Sequence, residues 1–129
     1  MYHSLIQRVR EYIRQKNLIS PKSSVLVGLS GGPDSVFLLH AMHQLQDEFA
    51  LTLYAAHLDH EWREGSENDI QFCRDVSQSL NIPFFSEKAS NITVSSPHKG
   101  SQEAHGRILR RSFFERIQHE HNIDYIALA

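Results

Sequence analysis

Six consecutive residues, Ser30–Ser35, combine a flexible backbone with hydroxyl groups, as a phosphate-binding turn requires. The two glycines, Gly31 and Gly32, let the backbone adopt positive φ and approach an anion closely. Ser30 and Ser35 add hydroxyl donors, and Pro33 fits the first turn of a helix because its missing N–H costs little there. These residues predict a site for phosphate or pyrophosphate at the N-terminus of the following helix. A tight turn without a ligand would need neither the second glycine nor both serines.

Asp34, inside the same turn, needs its own explanation because a carboxylate repels phosphate. A cation between the two groups removes the repulsion, and Mg²⁺ commonly binds one or two carboxylates together with phosphate oxygens and waters. We therefore expect Asp34 to contact Mg²⁺. Capping the N-terminus of the helix is the alternative role for this carboxylate, and the two roles are compatible.

Two common phosphate-binding motifs do not fit this turn. A Walker A loop needs a lysine directly after its last glycine, and the chain has no lysine between Lys22 and Lys88. A dinucleotide-binding turn needs the spacing Gly-x-Gly-x-x-Gly, which Gly28, Gly31 and Gly32 do not supply. The turn is therefore of another type.

The turn lies between a predicted strand and a predicted helix, and this alternation repeats along the chain. Hydrophobic spacing predicts four helices, over 2–16, from the turn to about Gln46, over Glu67–Leu80 and from Ser101 onward. It also predicts four strands, over Ser24–Leu29, Leu51–His57, Ile82–Phe85 and Ile123–Leu128. Residues 86–100 are predicted to form a loop. Such an order predicts right-handed crossovers between parallel strands. The expected fold is α/β and Rossmann-like, a parallel sheet of about four strands with helices on both faces.

Composition narrows the class of protein. The 129 residues carry 13 basic and 15 acidic side chains and one cysteine, so an intramolecular disulfide is excluded and a strongly basic nucleic-acid-binding domain is not indicated. No apolar run resembles a secretory signal or reaches the roughly 18 residues of a membrane span. The sequence predicts a soluble, cytoplasmic protein. Residues 1–22, a helix and linker with five basic side chains against one acidic, precede a domain over 23–129. The basic segment could contact phosphates or form a solvated helix face.

The sequence Ser-Gly-Gly-x-Asp-Ser after a strand resembles the pyrophosphate loop, or PP-loop, of the N-type ATP pyrophosphatases. In that superfamily ATP is cleaved between its α- and β-phosphates, a substrate oxygen is adenylated, and the loop holds the departing pyrophosphate. The motif is specific for the superfamily and says little about the substrate.

Further motifs are similar to those of the tRNA(Ile)-lysidine synthetase family, over about Val25–Ala129. They are Ala56-His57-x-Asp59-His60 with Arg63, Ser66-x-x-Asp69-x-x-Phe72-Cys73, and Ser101-x-Glu103 followed by Arg107 and Arg110. One position departs from the family pattern, because Arg111 stands where an aromatic residue is usual. The family's His-x-x-Asp-Asp motif and its tRNA-recognition domains would follow Ala129. The chain is thus expected to be a truncated domain that binds ATP weakly and catalyses little alone.

The resemblance implies a ligase with three substrates: ATP, free L-lysine and the isoleucine tRNA with a CAU anticodon. ATP would adenylate C2 of the wobble cytidine and the lysine ε-amine would displace AMP. Homodimer formation stays open, and no membrane contact is implied. The implied ATP site comprises Ser30, Gly31, Gly32, Asp34 and Ser35 at the phosphates and Mg²⁺, and backbone near Ala56 and His57 at the adenosine. Arg107 would neutralise charge on the transferred phosphate or contact the substrate.

Five other residues have competing interpretations. His57, Asp59 and His60 form either a metal site or polar walls of a nucleotide pocket, and their spacing favours the second. Trp62 is either a loop anchor, which is the favoured interpretation, or a platform on which a base stacks. Cys73 lies among apolar positions of its helix, which favours a core role over that of a nucleophile. A related thiolase would need paired cysteines, which Cys73 alone cannot supply, and an ATP-binding module without chemistry is the other alternative function.

Overall fold

A computed structural model describes residues 2–93 and 101–129. The elements are α1 (Tyr2–Lys16), β1 (Ser24–Gly28), α2 (Pro33–Phe49), β2 (Thr52–Asp59), α3 (Glu67–Ser79), β3 (Phe84–Lys88), a 3₁₀ turn (Ala89–Asn91), α4 (Gln102–His121) and β4 (Tyr125–Ala127). Among the described residues no helix is long and apolar enough to cross a membrane.

The four strands form one parallel sheet in the order β3-β2-β1-β4. The chain moves from β1 to β2 to β3 in one direction and then returns across the sheet to place β4 on the other side of β1. In sheets of this kind the point where the order reverses opens a crevice beyond the carboxyl ends of the strands. The predicted α/β fold with a four-stranded parallel sheet is confirmed, and its crevice lies at the end of β1.

Both faces of the sheet are covered, which explains why β1 is a continuous apolar run. Val25 and Val27 are fully buried on the face covered by α1, α2 and α3, whereas Leu26 is fully buried on the face covered by α4. The first core contains Ile6, Ile13, Leu39, Met42, Leu45 and Cys73, and the second contains Leu58, Leu109, Phe113, Phe114, Ile117 and Ile123. Burial on both faces selects β-branched and apolar residues at successive positions.

The strand boundaries differ from the sequence prediction on the β3 side. β3 begins at Phe84 rather than Ile82 and continues to Lys88, so residues 86–91, predicted as loop, form strand and 3₁₀ turn. Parallel pairing with β2, from Ala55↔Phe84 to Asp59↔Lys88, satisfies the backbone although the side chains at the end of this edge strand are polar. Residues 94–100 of the predicted loop lie outside the described residues.

One further difference concerns the end of α2, and one residue of α4 shows how that helix is oriented. α2 continues to Phe49, beyond the predicted Gln46, and ends where Ala50 adopts a left-handed conformation with φ 55°. In α4, Ile108 is 50% exposed although it adjoins buried Leu109, because the helix turns it to the face opposite the sheet.

Candidate functional site

The turn between β1 and α2 is stabilised by its own side chains. Gly31 has φ +91°, a conformation that favours glycine, and Gly32 is the extended N-cap residue of α2. The N–H of Ser30 donates to Ser35 Oγ at 3.0 Å, and the N–H of Gly32 donates to Ser30 Oγ at 3.2 Å. The Ser35 hydroxyl donates to the carbonyl of Gly32 at 3.1 Å. These hydrogen bonds hold the turn in one shape.

Both serine hydroxyls form hydrogen bonds inside the turn, and their contact with phosphate stays a prediction. Because the one proton of Ser35 Oγ goes to Gly32, the 3.1 Å contact between the two hydroxyls requires Ser30 to donate to Ser35. Ser35 is only 3% exposed, whereas Ser30 is exposed. Helical geometry leaves the N–H groups of Asp34 and Ser35 without carbonyl partners inside α2, and such groups at a helix N-terminus are suited to an anion.

A cleft of about 450 Å³ opens beside this turn, at the carboxyl ends of β1 and β2. The β1 side contributes Gly28, Leu29, Ser30 and Ser35, the β2 side contributes His57–Arg63, and α4 contributes Arg110 and Phe114. Its volume is within the range of small-molecule sites. The cleft coincides with the crevice that the strand order requires.

Two buried polar side chains form the floor of the cleft. His57, 5% exposed, has its Nδ1 2.8 Å from the carbonyl oxygen of Leu29. Since a carbonyl only accepts, Nδ1 carries a proton, and in the neutral tautomer Nε2 is then the acceptor. Asp59 is also buried, and its Oδ1 accepts from the N–H of Glu61 at 2.9 Å. Among the described residues, no three His, Cys, Asp or Glu side chains are grouped as a metal site would require.

The loop after β2 forms the outer wall of the cleft. His60 and Trp62 stack with ring centroids 4.3 Å apart and planes 20° apart. A Cβ on Gly106 of α4 would lie 2.7 Å from Trp62 Cζ2 and 3.1 Å from His60 Cε1, so the edge of this stack rests directly on the α4 backbone. A glycine at 106 is therefore a requirement of the contact. Trp62 anchors the loop, as the favoured interpretation predicted, yet 49% of it stays exposed.

Hydrogen bonds fix the loop from its other side. Glu61 has φ 60°, and its Oε1 accepts from the N–H of Ser90 in the 3₁₀ turn at 3.0 Å. This backbone hydrogen bond lowers the pKa of Glu61. Burial lowers the pKa of His60, and the nearby Arg110 and His57 lower it further, against the opposing effect of Asp59. A neutral imidazole is therefore favoured beside Trp62.

The same loop contributes an ion pair beside the glycine turn. Arg63 pairs with Asp69 in the first turn of α3. A Cβ on Gly31 would lie 3.7 Å from Cβ and Cγ of Asp69, so the carboxylate faces the turn at van der Waals distance. Sequence reasoning assigned Asp69 to a family motif and not to the site. The fold brings it there because α3 begins where β2 ends.

The residues predicted to form the site are only partly brought together. Gly31, Gly32 and Pro33 border a separate groove of about 590 Å³ with Phe37, His40, Gln44, Phe72 and Ile6. Asp34 is exposed in the first turn of α2 and does not line the cleft. The alternative role of Asp34 as the helix N-cap is wrong, since Gly32 occupies that position.

The predicted site residues on β2 and α4 also differ in their relation to the cleft. Ala56 is fully buried, and its carbonyl accepts from the N–H of Leu29 at 2.8 Å. Arg107 is exposed and lies outside the cleft lining, whereas Arg110 lines the cleft. Sequence reasoning missed Arg110 as a site residue. The available signal was its spacing, since positions 106 and 110 share one face of a helix.

Cys73 lies inside the first core and is fully buried. Burial raises the pKa of its thiol to about 11, with a smaller contribution from the charge of Asp69. A thiol that is buried and protonated at neutral pH is a poor nucleophile. The predicted core role of Cys73 is confirmed.

The chain is similar to known proteins over its whole length. Curated relatives named tRNA(Ile)-lysidine synthase include those of Clostridium perfringens and Bacillus subtilis, each 36% identical, over 95% and 96% of this chain and 26% of theirs. That of Petrotoga mobilis is 36% identical over 95% of this chain and 40% of its own. The chain thus spans about a quarter to two-fifths of the length of these relatives.

Two solved structures share the fold. A U34-tRNA thiolase from Methanococcus maripaludis, with its [4Fe-4S] cluster, aligns with a TM-score of 0.76 and 17% identity, covering 98% of this chain and 45% of that one. An NH3-dependent NAD synthetase from Campylobacter jejuni aligns with a TM-score of 0.69 and 15% identity, covering all of this chain and 57% of that one. A family model described as a PP-loop domain matches residues 1–129. With the glycine turn at the carboxyl end of β1 and the cleft beside it, the chain belongs to the PP-loop domain family.

Proposed function

We propose that this chain is the ATP-binding part of a ligase that joins lysine to C2 of the wobble cytidine in the isoleucine tRNA with a CAU anticodon. The observation that carries the proposal is the cleft at the end of β1, bordered by the glycine turn and closed by α4. Relatives at 31–36% identity, matched over at least 90% of this chain, are named for lysidine synthesis and support the choice of substrate.

The chemistry has two steps. The C2 oxygen of the cytosine attacks the α-phosphorus of ATP, and the bond to the β-phosphate breaks to release pyrophosphate. The lysine ε-amine then attacks C2, the C2–O bond breaks, and AMP leaves with the oxygen while the amine loses a proton. Adenylation comes first because an oxygen on C2 is a poor leaving group until it carries phosphate. The enzyme must therefore hold ATP, base and amine in one place.

The proposed ATP orientation follows the geometry of the cleft. The phosphates would lie at the turn of Gly31 and Gly32, where the N–H groups at the start of α2 are available. The adenosine would lie along the end of β2 near Ala56 and His57. The carbonyl of Ala56 already accepts from Leu29, so its second lone pair and Nε2 of His57 are the acceptors available there.

The proposal includes a Mg²⁺ ion that Asp34 would bind. The exposed carboxylate in the first turn of α2 fits a Mg²⁺ ion that also takes phosphate oxygens and waters, and Mg²⁺ typically needs one or two protein carboxylates. When bound there, the ion would offset the negative charge of the phosphates.

Two of the four arginines of α4 would divide the task that the sequence assigned to Arg107 alone. Arg110 lines the cleft and would neutralise charge on the transferred phosphate. Arg107, exposed one turn earlier on the helix, would contact the RNA substrate.

Release of pyrophosphate tests the proposal. The complete protein, given ATP, lysine and a CAU-anticodon tRNA(Ile) transcript, should release pyrophosphate and AMP, and lysidine should appear in the nuclease-digested tRNA. Omission of the tRNA should abolish the release. Binding of ATP without pyrophosphate release under the full mixture would instead identify a non-catalytic ATP-binding module.

A variant at Cys73 distinguishes the proposed ligase from a thiolase. Because this thiol is buried in the core with a raised pKa, the Cys73→Ala variant should retain pyrophosphate release and lysidine formation. Thermal unfolding is the control, since a core truncation lowers stability by about 1–2 kcal/mol. Loss of activity in a folded Cys73→Ala protein, with sulfur found in the tRNA product of the parent protein, would favour the thiolase.

A further inference from the structure

Trp62 presents an aromatic surface at the mouth of the cleft. His60 covers one face of the indole, and the backbone at Gly106 abuts the edge of the stacked pair. Trp62 is 49% exposed and lines the cleft, so part of the indole that His60 and Gly106 do not cover faces solvent there. A rigid aromatic face that is open on one side can stack one planar group.

Arginines surround this surface on α4. Gly106 touches the Trp62 edge, and at about 100° per residue Arg110, Arg107 and Arg111 lie about 40°, 100° and 140° around the helix from it, in one direction. Arg110 lines the cleft, whereas Arg107 and Arg111 are exposed. The three positions thus form an arc on α4 that begins at the cleft and continues onto its exposed face.

These arginines form no ion pair in the part of the chain that the structure describes. By contrast, Arg116, further along the same helix, pairs with Glu87 at 3.3 Å and Glu120 at 3.9 Å. Residues 104–114 contain no acidic side chain. An open indole next to unpaired arginines is the combination that binds single-stranded nucleic acid, by base stacking and phosphate contacts.

We propose that Trp62 is a stacking platform for a nucleobase of a single-stranded RNA segment that enters the cleft, with Arg107 and Arg111 holding the adjacent phosphates. The inference rests on the proposed function, because it assumes that an RNA strand reaches the cleft. The adenine of ATP is the other base available, but the proposed ATP site lies deeper, beside Leu29 and His57. The arc of arginines leads outward from Trp62, where a polymer and not a mononucleotide extends.

Intrinsic fluorescence tests stacking directly, because Trp62 is the only tryptophan of the 129 residues. A seven-nucleotide single-stranded RNA with a central CAU, added to the chain, should quench the emission saturably. The same RNA with an abasic site at the cytidine should bind with much less quenching. ATP alone should leave the emission unchanged. Quenching by ATP equal to that by RNA would overturn the assignment to RNA, and RNA binding without quenching would overturn the platform.

Variants test the platform and the arginines separately, with a labelled RNA followed by anisotropy. Trp62→Leu keeps an apolar contact with Gly106 and should raise the Kd of the RNA roughly tenfold, the size expected for one lost stack. Trp62→Phe should give a smaller rise, which shows that an aromatic plane is required. Equal Kd values for the parent and Trp62→Leu, with both folded by circular dichroism, would overturn the proposal.

Salt dependence tests the phosphate contacts. Arg107→Gln and Arg111→Gln should each lower the slope of log Kd against log salt by about 0.7, the value for one phosphate contact to a single strand. Arg116→Gln, on the same helix but ion-paired, is the matched control and should leave the slope unchanged. Equal slopes for all three variants would overturn the role of the arginine arc.

The pyrophosphate assay keeps the two proposals distinguishable. If the complete protein releases pyrophosphate with tRNA while RNA neither binds at Trp62 nor depends on Arg107 and Arg111, only the platform is overturned. If pyrophosphate release also fails, the proposed function is overturned with it.

Discussion

The cleft has two sides that are built in different ways, the glycine turn on one and the wall of Trp62 and α4 on the other. The turn is local: Ser30 and Ser35 are five residues apart, and hydrogen bonds among Ser30, Gly32 and Ser35 hold its shape. The wall is assembled over distance, since Trp62 rests on Gly106, 44 positions later in the chain. The turn can keep its shape when distant contacts change, whereas the wall exists only if β2 and α4 pack correctly.

Replacing Gly31 by alanine should give the largest effect on ATP binding. The position has φ +91°, which an L-residue adopts at a cost of about 1–2 kcal/mol, so the turn would shift and its N–H groups would leave their positions. We expect the Kd for ATP, measured by calorimetry, to rise roughly tenfold or more.

Gly65→Ala is the matched control for this change. Gly65 has a similar φ of +81° and, like Gly31, its nearest neighbour would lie at van der Waals distance from a Cβ, but it lies outside the Ser30–Ser35 turn. The Gly65→Ala variant should lose about as much stability as Gly31→Ala and keep the ATP affinity of the parent protein. Equal losses of ATP affinity in the two variants would show that strain in general, and not the shape of the turn, determines binding.

Replacing Gly106 by alanine tests the wall. The new Cβ would lie 2.7 Å from Trp62, so the loop must move, and the free energy of unfolding should fall by about 1–3 kcal/mol. In a Trp62→Leu background the same change should be harmless or stabilising by up to about 1 kcal/mol, because alanine favours helix over glycine. Chemical denaturation of the four proteins measures this coupling. Simple additivity would contradict the contact.

Replacing Ser35 by alanine tests the internal hydrogen bonds of the turn. The buried hydroxyl donates to Gly32 and accepts from Ser30, so its removal should lower the free energy of unfolding by about 1–2 kcal/mol. Ser79→Ala removes an exposed hydroxyl that donates to Val76 and should change it by less than about 0.5 kcal/mol. Denaturant midpoints distinguish the two. A neutral Ser35→Ala would mean that the glycines alone shape the turn.

The contrast between the two sides also explains what the sequence could predict. The four parallel strands, the glycine turn and the burial of Cys73 follow from short patterns of apolar residues and glycine, and the structure has them. The sequence predicted Arg107 at the site, whereas Arg110 lines the cleft. Which of the two reaches the cleft depends on how far α4 is rotated about its axis, and the packing of Leu109 and Phe113 on the sheet sets that rotation. Such a rotation moves a side chain into or out of a site without altering the local pattern.

The predicted boundaries of β3 were wrong for a related physical reason. Ser86, Glu87 and Lys88 look like loop residues, but the backbone of β2 supplies partners for them at the sheet edge. Side-chain polarity reports solvent exposure, and an edge strand is solvent-exposed. The contact between Trp62 and Gly106 had no signal beyond the presence of a glycine inside a helical pattern, where a glycine costs stability unless packing requires it.

The protonation of His60 should have the smallest effect on stability, and its pKa reports directly whether the wall is formed in solution. Burial, followed by Arg110 and His57, lowers its pKa below 6.5, so the unfolded chain binds this proton more tightly than the folded one. The contribution of His60 to stability is therefore complete above pH 6.5 and is lost as the pH falls from 6.5 to the folded pKa. Because the ring is only partly buried, the loss should be small, and NMR titration of the imidazole is the suitable measurement. Trp62→Leu opens the stack and should move the His60 pKa back toward 6.5, whereas Arg116→Gln, remote from the cleft, should not change it. A His60 pKa at or above 6.5 in the parent protein would mean that the loop does not rest on α4 in solution, and the wall would then form only when a ligand closes it.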